Sequence, residues 1–217
     1  MVSSLRQRCC ALWIGGFLPS ESLQNLVKIF NGEDLLGTAD SNKGLPGHYL
    51  YPGHMVIAVK PLLVTTILGS CIAVCLWDSV SRIGGMNHFL LPFSGSPTST
   101  PTPLHLELRY GDAATLNLIQ HLVDQGCDKK RMQAKIFGGA RVIEVLKGAD
   151  TLGQRNFNAA RDVLRKENIP ILSSDIGGNL GRKVLFISSE GTVWVKYLDG
   201  GRIMEQEAAG NQPKKIV

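Results

Sequence analysis

The feature that most constrains the fold is a pair of apolar stretches, residues 64–78 and 83–92, separated by a short polar segment. Each is long enough for a β-strand, and their closeness along the chain predicts one β-hairpin. Alternation gives the first stretch two apolar faces, one with Ile72, Val74 and Leu76 and the other with Cys71, Ala73, Cys75 and Trp77. Because both faces are apolar, we expect these strands at the centre of a sheet.

The hairpin predicts a nucleophile and a base side by side. With a turn centred at 79–80, Cys71 faces His88 across the hairpin, at a Cβ separation of roughly 4.5–5.5 Å. The imidazole can then take the thiol proton, which predicts a thiolate–imidazolium pair with a lowered thiol pKa. A third group is needed to fix the imidazole tautomer, and the hydroxyl of either Thr65 or Thr66 is a candidate.

Glycine-rich stretches supply further candidates for the site. Gly69 and Ser70 precede the thiol, where they allow a close backbone approach and bring amides toward a developing oxyanion. Arg155 and Asn156 are candidate hydrogen-bond donors to a substrate. Three stretches are interpreted as turns that wall a groove around them: 137–140, 151–156 and 175–182. A nucleotide site is not predicted, because Gly-x-Gly-x-x-Gly and the P-loop lysine are absent.

The order of elements predicts an α/β (α+β) fold, a layered sandwich with mixed β-sheets flanked by helices. Besides the hairpin, the patterns predict strands at 55–59, 133–137 and 171–175, helices at 112–123 and 156–168, and a second hairpin at 182–197. With 217 residues, 44% of them apolar, the chain can bury one sizeable core. We expect an N-terminal extension over 1–50 with a short helix at 20–30, a domain over 51–202, a low-complexity loop at 93–103 and a C-terminal tail over 203–217.

Composition weighs against several classes of protein. The net charge of +5 comes from scattered basic residues, so nucleic-acid binding is not expected. The five cysteines, at 9, 10, 71, 75 and 127, fit neither a full set of disulfides nor a zinc site, and no metal or cofactor is expected. No apolar run is long enough for membrane insertion, and the apolar start lacks a convincing cleavage site, so we expect a cytoplasmic protein.

Six motifs, in order over residues 53 to about 200, resemble the chemoreceptor glutamine deamidases of bacterial chemotaxis, the CheD family. They are Thr65-Thr66-Ile67-Leu68-Gly69-Ser70-Cys71, Gly84-Gly85-Met86-Asn87-His88, Tyr110-Gly111-Asp112, Phe137-Gly138-Gly139-Ala140, Gly153-x-Arg155-Asn156 and Asp175-x-Gly177-Gly178-x-x-Gly181-Arg182. The resemblance implies that Cys71 is the nucleophile, that His88 is the base and that Thr65 completes the site. It further implies a protein-glutamine glutaminase that acts on methyl-accepting chemotaxis receptors through a Cys thioester and releases ammonia.

Two other functions are compatible with the same residues. The family resemblance also allows a regulatory binding partner that stimulates a chemotaxis phosphatase, although such an adaptor has no need of a thiol and imidazole in register. A general Cys–His hydrolase of esters or small amides is chemically allowed as well. That enzyme would turn over free glutamine, which a protein deamidase should handle poorly.

Overall fold

The computed structural model describes residues 44–93, 104–141, 151–198 and 214–216. Within these ranges no helix is long and apolar enough to cross a membrane. The strands are β1 (Gly47–Tyr49), β2 (His54–Ala58), β3 (Leu63–Leu68), β4 (Ile72–Asp78), β5 (Ile83–Phe89), β6 (Met132–Gly138), β7 (Ile171–Ile176), β8 (Gly181–Ile187), β9 (Thr192–Leu198) and β10 (Lys214–Ile216). The helices are α1 (Leu104–Glu107), α2 (Gly111–Asp124) and α3 (Leu152–Lys166).

The strands form two five-stranded sheets. Sheet A has the order β1-β3-β8-β9-β10, and sheet B has the order β2-β5-β4-β6-β7. Each sheet is mixed, because β1 pairs in parallel with β3 and β6 pairs in parallel with β7, while the other pairs are antiparallel. β4 lies at the centre of sheet B, as its two apolar faces predict. The layered α+β sandwich with mixed sheets is therefore confirmed.

Two apolar cores hold the layers together. One lies between sheet B and helices α2 and α3, and it contains Ile72, Val74 and Leu76 from β4. The other lies between the two sheets, and it contains Ala73 and Cys75 from the opposite face of β4. The predicted division of β4 into two faces is thus confirmed. Cys71 packs against the core between the sheets, which places the thiol on the inner face of the sandwich.

The stretch 64–78 is not one strand of a single hairpin, and that prediction is wrong. β3 ends at Leu68 in sheet A, and β4 begins at Ile72 in sheet B. The three residues between them are held by another loop, because the amide of Ala140 donates to the carbonyl of Gly69 and the amide of Gly139 donates to that of Cys71, each at 2.8 Å. Residues 64–77 contain no charged residue or proline that would mark this change of sheet.

The predicted register of the β4–β5 hairpin is also wrong. His88 pairs with Ala73, and the ladder runs without a bulge to Asp78 opposite Ile83. The turn is a four-residue loop, in which the Asp78 carbonyl accepts from the amide of Arg82 at 2.9 Å and Arg82 has a φ of 57°. The partner of His88 therefore shifts by two residues. A shift of two keeps every side chain on its predicted face, because strand side chains alternate with a period of two.

The remaining predicted elements appear within a few residues of their expected positions. α3 begins earlier than expected, because the Thr151 hydroxyl accepts from the amide of Gln154 and caps the helix. Two short strands fall in the segments predicted as extension and tail: β1 pairs with β3, and β10 pairs with β9. The domain boundaries stay a prediction. The helix predicted at 20–30 and most of the loop predicted at 93–103 lie outside the described residues.

Candidate active site

A chain of two hydrogen bonds fixes the imidazole of His88. The Thr66 hydroxyl donates to the carbonyl of Leu50 at 2.7 Å, so its oxygen is free to accept, and it accepts from Nδ1 of His88 at 2.8 Å. This direction requires a proton on Nδ1 and leaves a lone pair on Nε2. All three groups are buried. The ring is therefore held in the tautomer in which Nε2 can act as a base.

The Nε2 atom of His88 is buried and has no hydrogen-bond partner among the described residues. Burial lowers the pKa of His88 to about 4, against the opposing effect of the Leu50 carbonyl and with a smaller contribution from His54. His54 is exposed and pairs directly with His88 between β2 and β5. The imidazole is consequently neutral at physiological pH and able to accept a proton.

Cys71 lies on the loop of residues 69–71 that joins the two sheets, which we call the thiol loop. Its side chain is half-buried. Three consecutive carbonyls of this loop are held, since Asn156 Nδ2 donates to the Ser70 carbonyl at 3.1 Å and the Gly139 and Ala140 amides hold the other two. The same Asn156 Nδ2 donates to the Leu90 carbonyl at 2.9 Å, just beyond the strand that carries His88. Asn156 thus connects the thiol loop to the end of β5, the strand that carries His88.

Glycines make the contact behind the thiol loop sterically feasible. Gly138 has a φ of 113°, and a Cβ there would overlap the carbonyl oxygen of Cys71. A Cβ on Gly153, at the start of α3, would overlap the carbonyl oxygen of Gly139. Glycine at both positions avoids these overlaps, and at Gly138 it also tolerates the positive φ. The predicted proximity of the glycine stretches is thus seen in the described residues, and its effect is to fix the position of Cys71.

The thiol and the imidazole share a face but are not directly opposite. Because Ala73 is the partner of His88, Cys71 stands in a diagonal relation to it, for which Cα separations of about 7–8 Å are typical. No hydrogen bond joins the two groups among the described contacts. Burial raises the pKa of the Cys71 thiol, and the residue's own backbone amide lowers it by less. The expected lowered thiol pKa is therefore not found, and the resting pair is a neutral thiol beside a neutral imidazole.

Comparisons with known proteins agree with the motifs. A family model described as "CheD chemotactic sensory transduction" matches residues 90–197. A relative from Anaeromyxobacter dehalogenans, named "Probable chemoreceptor glutamine deamidase CheD 1", is 42% identical over 69% of this chain and 84% of its own length. One from Thiobacillus denitrificans, "Probable chemoreceptor glutamine deamidase CheD", is 42% identical over 69% and 72% of the two chains. The chain belongs to the CheD family.

A solved structure of a Neisseria meningitidis protein, described by the family model DUF152, also matches this CheD chain. It is 11% identical over 72% of this chain and 67% of its own, with a TM-score of 0.37. That similarity is too low to carry an argument about the fold or the site.

The threonine that contacts the imidazole in this CheD chain is Thr66. The sequence alone leaves either Thr65 or Thr66 as the third group of the site, and the family resemblance implies Thr65. β3 turns Val64, Thr66 and Leu68 toward sheet B, because Val64 and Leu68 belong to the core between the sheets. Thr65 lies on the opposite face of β3 and pairs with Leu185 of β8. The alternation of apolar residues around Thr66 was the signal that could have identified it. No local sequence feature indicates that the Leu50 carbonyl accepts from the Thr66 hydroxyl.

The other predicted substrate contacts in this CheD chain have different settings. Arg155 is exposed on the first turn of α3, next to the buried Asn156. The Asn156 Nδ2 donor is used by backbone carbonyls, while its Oδ1 is buried without a hydrogen-bond partner among the described residues. Gly69 and Ser70 are half-buried beside the thiol. Substrate binding by these four residues stays a prediction.

The last glycine motif of the CheD chain forms the rim next to the thiol loop. The Arg182 side chain is buried, and it donates to the Asp175 carboxylate and to the carbonyls of Asp175 and Gly177. The amide of Gly177 in turn donates to the Gly138 carbonyl at 2.9 Å. From the sequence, this motif is interpreted as a groove wall. It also anchors the 138–140 loop that holds Cys71.

Proposed function

We propose that this CheD chain is a chemoreceptor glutamine deamidase in which Cys71 is the nucleophile and His88 the base. The observation that carries the proposal is the state of the imidazole. Its Nδ1 proton is held by Thr66, and its Nε2 lone pair is buried with no hydrogen-bond partner among the described residues, on the same face as the half-exposed thiol. A lone pair left in this state has the geometry and the protonation of a general base. The printed names of the curated relatives support the choice of substrate.

The reaction begins with proton transfer from the Cys71 thiol to Nε2 of His88 as the sulfur attacks the carboxamide carbon of a receptor glutamine. The tetrahedral intermediate collapses by breaking the C–N bond, and the imidazolium gives its proton to the departing nitrogen, which leaves as ammonia. Water then attacks the thioester, with Nε2 accepting its proton. Return of that proton to sulfur releases glutamate and restores the thiol.

Thr66 acts through His88 in this scheme. Its hydroxyl keeps Nδ1 protonated in the neutral ring and accepts a stronger hydrogen bond when the ring becomes an imidazolium. The Cys71 amide lowers the pKa of its own thiol, so it also stabilises negative charge at sulfur. These two groups offset part of the cost of forming a charged pair in a buried site.

The proposal is tested by measuring ammonia release and the glutamine-to-glutamate mass gain on a purified receptor cytoplasmic domain. Cys71→Ala is expected to lose at least about 1,000-fold in rate, because no other group can form the thioester. The matched control is Cys75→Ala, since Cys75 is a buried thiol in the same core against which Cys71 packs, and this variant should deamidate at nearly the wild-type rate. Wild-type turnover by Cys71→Ala would contradict the proposal.

The same variants test the regulatory alternative. A protein that acts only by stimulating a chemotaxis phosphatase should do so equally well as wild type and as Cys71→Ala, with no receptor glutamine converted by either. Rapid turnover of free glutamine by wild type would instead favour a general amide hydrolase.

A further inference from the structure

The segment of residues 50–53, which leads into β2, is bonded to the candidate base at two points. The Leu50 carbonyl accepts at 2.7 Å from the Thr66 hydroxyl that holds His88. The Gly53 amide donates to the carbonyl of His88 itself, also at 2.7 Å. These bonds fix the backbone of the segment relative to the imidazole.

This segment presents a tyrosine to solvent. Tyr51 follows Leu50 directly and is 60% exposed. Its ring packs edge-to-face on Tyr49 at a centroid distance of 4.9 Å, and it lies 6.4 Å from the ring of His54, the strand partner of His88. Tyrosine is enriched in protein interfaces, and a ring held by its neighbours loses little conformational freedom on binding. Tyr51 is therefore suited to contact a protein substrate beside the imidazole.

An unpaired guanidinium lies next to the same segment. The Arg109 carbonyl accepts from the amides of Leu90 and Leu91, just beyond β5, at 3.0 Å each. Its side chain packs on Gly53, because Arg109 Cγ is 3.3 Å from the position that a Cβ on Gly53 would take. Arg109 is exposed, and its guanidinium has no ion pair or hydrogen bond within the described ranges. Its positive charge is available to a bound molecule.

Charge at the thiol end of the sandwich differs from charge at the other end. Arg155, on the first turn of α3 next to the Asn156 that holds the thiol loop, is also exposed and makes no ion pair in the described part of the chain. At the other end of β4, Arg131 pairs with Asp78 and with Asp128. Positive charge beside the thiol is thus left without carboxylates, and it favours an acidic partner there.

We infer that Tyr51 and Arg109 form a docking surface for an acidic segment of the substrate protein. The inference rests on the proposed function, since it concerns the segment that brings the glutamine to Cys71. Arg109 binds a carboxylate that flanks the target glutamine, because a guanidinium and a carboxylate form paired, charge-assisted hydrogen bonds. Tyr51 packs on the same segment, and Arg155 adds to the field that attracts it. Glutamines without a flanking carboxylate are then poor substrates.

The first test measures binding by a full-length protein that cannot turn over. Cys71→Ala is titrated with a fluorescent peptide in which glutamates flank one glutamine, and with a twin peptide in which serines replace those glutamates. The acidic peptide should bind about 10-fold more tightly at low salt. The preference should shrink in about 0.5 M salt, which screens exposed charges. Equal affinities for the two peptides at low salt would overturn the inference.

A matched pair of arginine variants in the Cys71→Ala background locates the charge that matters. Arg109→Gln should weaken binding of the acidic peptide by about 5-fold or more and leave binding of its twin unchanged. The control is Arg165→Gln, because Arg165 is exposed in the last turn of α3 and has no partner among the residues described. It removes the same charge and should change neither affinity by more than about 2-fold. Equal losses in the two variants would overturn the role of Arg109.

Kinetics on the receptor cytoplasmic domain separate docking from catalysis. Tyr51→Ala should raise KM by about 5-fold and leave kcat near the wild-type value, because the ring contributes to binding alone. Tyr51→Phe keeps the ring and should recover most of the loss. A fall in kcat with KM unchanged would mean that Tyr51 acts through Leu50 on the base, and it would overturn the docking role.

These measurements can fail independently of the proposed function. Selective binding of the acidic peptide by Cys71→Ala, with no ammonia released by the wild type, would contradict the deamidase and support the docking surface. Deamidation of both peptides by the wild type with equal kcat/KM would support the deamidase and overturn the docking surface.

Discussion

Buried polar groups near the two ends of β4 differ in whether their hydrogen bonds are satisfied. At one end the carboxylate of Asp78 is fully buried, and it accepts from the amides of Val80, Ser81 and Asp128 and twice from Arg131. Burial alone would raise the pKa of Asp78, but the Arg131 guanidinium and the amides hold that pKa well below its usual range. At the other end, Nε2 of His88 is buried with no partner among the described residues, and burial lowers the pKa of His88 to about 4.

Under the proposed function, the Asp78 end of the strand is structural, and the end with Cys71 and His88 is the reactive end. A fully satisfied carboxylate stabilises the fold, and here it also fixes the four-residue loop that sets the hairpin register. An unsatisfied buried acceptor costs free energy of folding, and a free lone pair on Nε2 is what the proposed base requires. The Asp78 end places Ala73 opposite His88, and the Cys71 end depends on that placement.

Outside the proposed catalytic pair, the largest expected effect on the reactive end comes from Gly138→Ala. Its methyl group would overlap the Cys71 carbonyl and displace the thiol loop, and a shift of about 1 Å at a reacting group costs on the order of 100-fold in rate. The control is Gly126→Ala, because Gly126 has a φ of 91° but open space around its Cβ position. It should lose stability through backbone strain and keep its activity. Wild-type deamidation by Gly138→Ala would show that the loop contact is dispensable.

At the structural end, Asp78→Asn tests the opposite expectation. Removing the charge from a buried, multiply hydrogen-bonded carboxylate should lower the free energy of unfolding by about 3 kcal/mol, measured by urea titration. Asp128→Asn serves as the comparison, since its partly exposed side chain contacts the same arginine and should cost less than about 1 kcal/mol. An asparagine oxygen can still accept from the Val80 and Ser81 amides and keep the loop, so folded Asp78→Asn should deamidate at close to the wild-type rate. Equal free energies of unfolding for the two variants would contradict the structural role assigned to Asp78.

The sequence was sufficient wherever the signal was local. Alternation identified the two faces of β4 and its central position, and helical spacing located α2 and α3. It failed at Gly69, because the change of sheet depends on amides of Gly139 and Ala140, about 70 residues away, that hold the loop carbonyls. The register failed for a similar reason, since the geometry of the turn is set by the Asp78 side chain and a positive φ at Arg82.

At the candidate site, too, local sequence patterns were informative and contacts between residues distant in sequence could not be predicted. Cys71 and His88 were predicted as nucleophile and base from residue type and strand parity, and the structure places them on the same face. Asn156 was interpreted as a substrate donor, because nothing near it in sequence reveals that its partners are the carbonyls of Ser70 and Leu90, 86 and 66 residues away. Thr65 and Thr66 could not be distinguished until the pairing of β3 showed which one faces sheet B.

The buried imidazole makes the reactive end sensitive to acid. The pKa of His88 is about 4 in the folded protein and about 6.5 when unfolded, so the unfolded state binds more protons between these values. The free energy of unfolding should therefore decrease as the pH falls from 6.5 to 4, by up to roughly 3 kcal/mol. His88→Asn removes this titration, so its pH dependence should be shallower by that amount in urea titrations across the window. Parallel curves for the two proteins would mean that burial does not perturb His88.

The smallest expected effect distinguishes the two adjacent threonines. Thr66→Val removes the hydrogen bond to Nδ1 of His88 and leaves a buried N–H unpaired, which should slow deamidation by about 10- to 100-fold. Thr66→Ser keeps the hydroxyl and should recover much of the rate. Thr65→Val, whose side chain lies on the other face of β3, should keep the wild-type rate. A loss confined to Thr65→Val would instead favour the assignment that the family resemblance implied. It would mean that the hydrogen bond between Thr66 and His88 has no catalytic role.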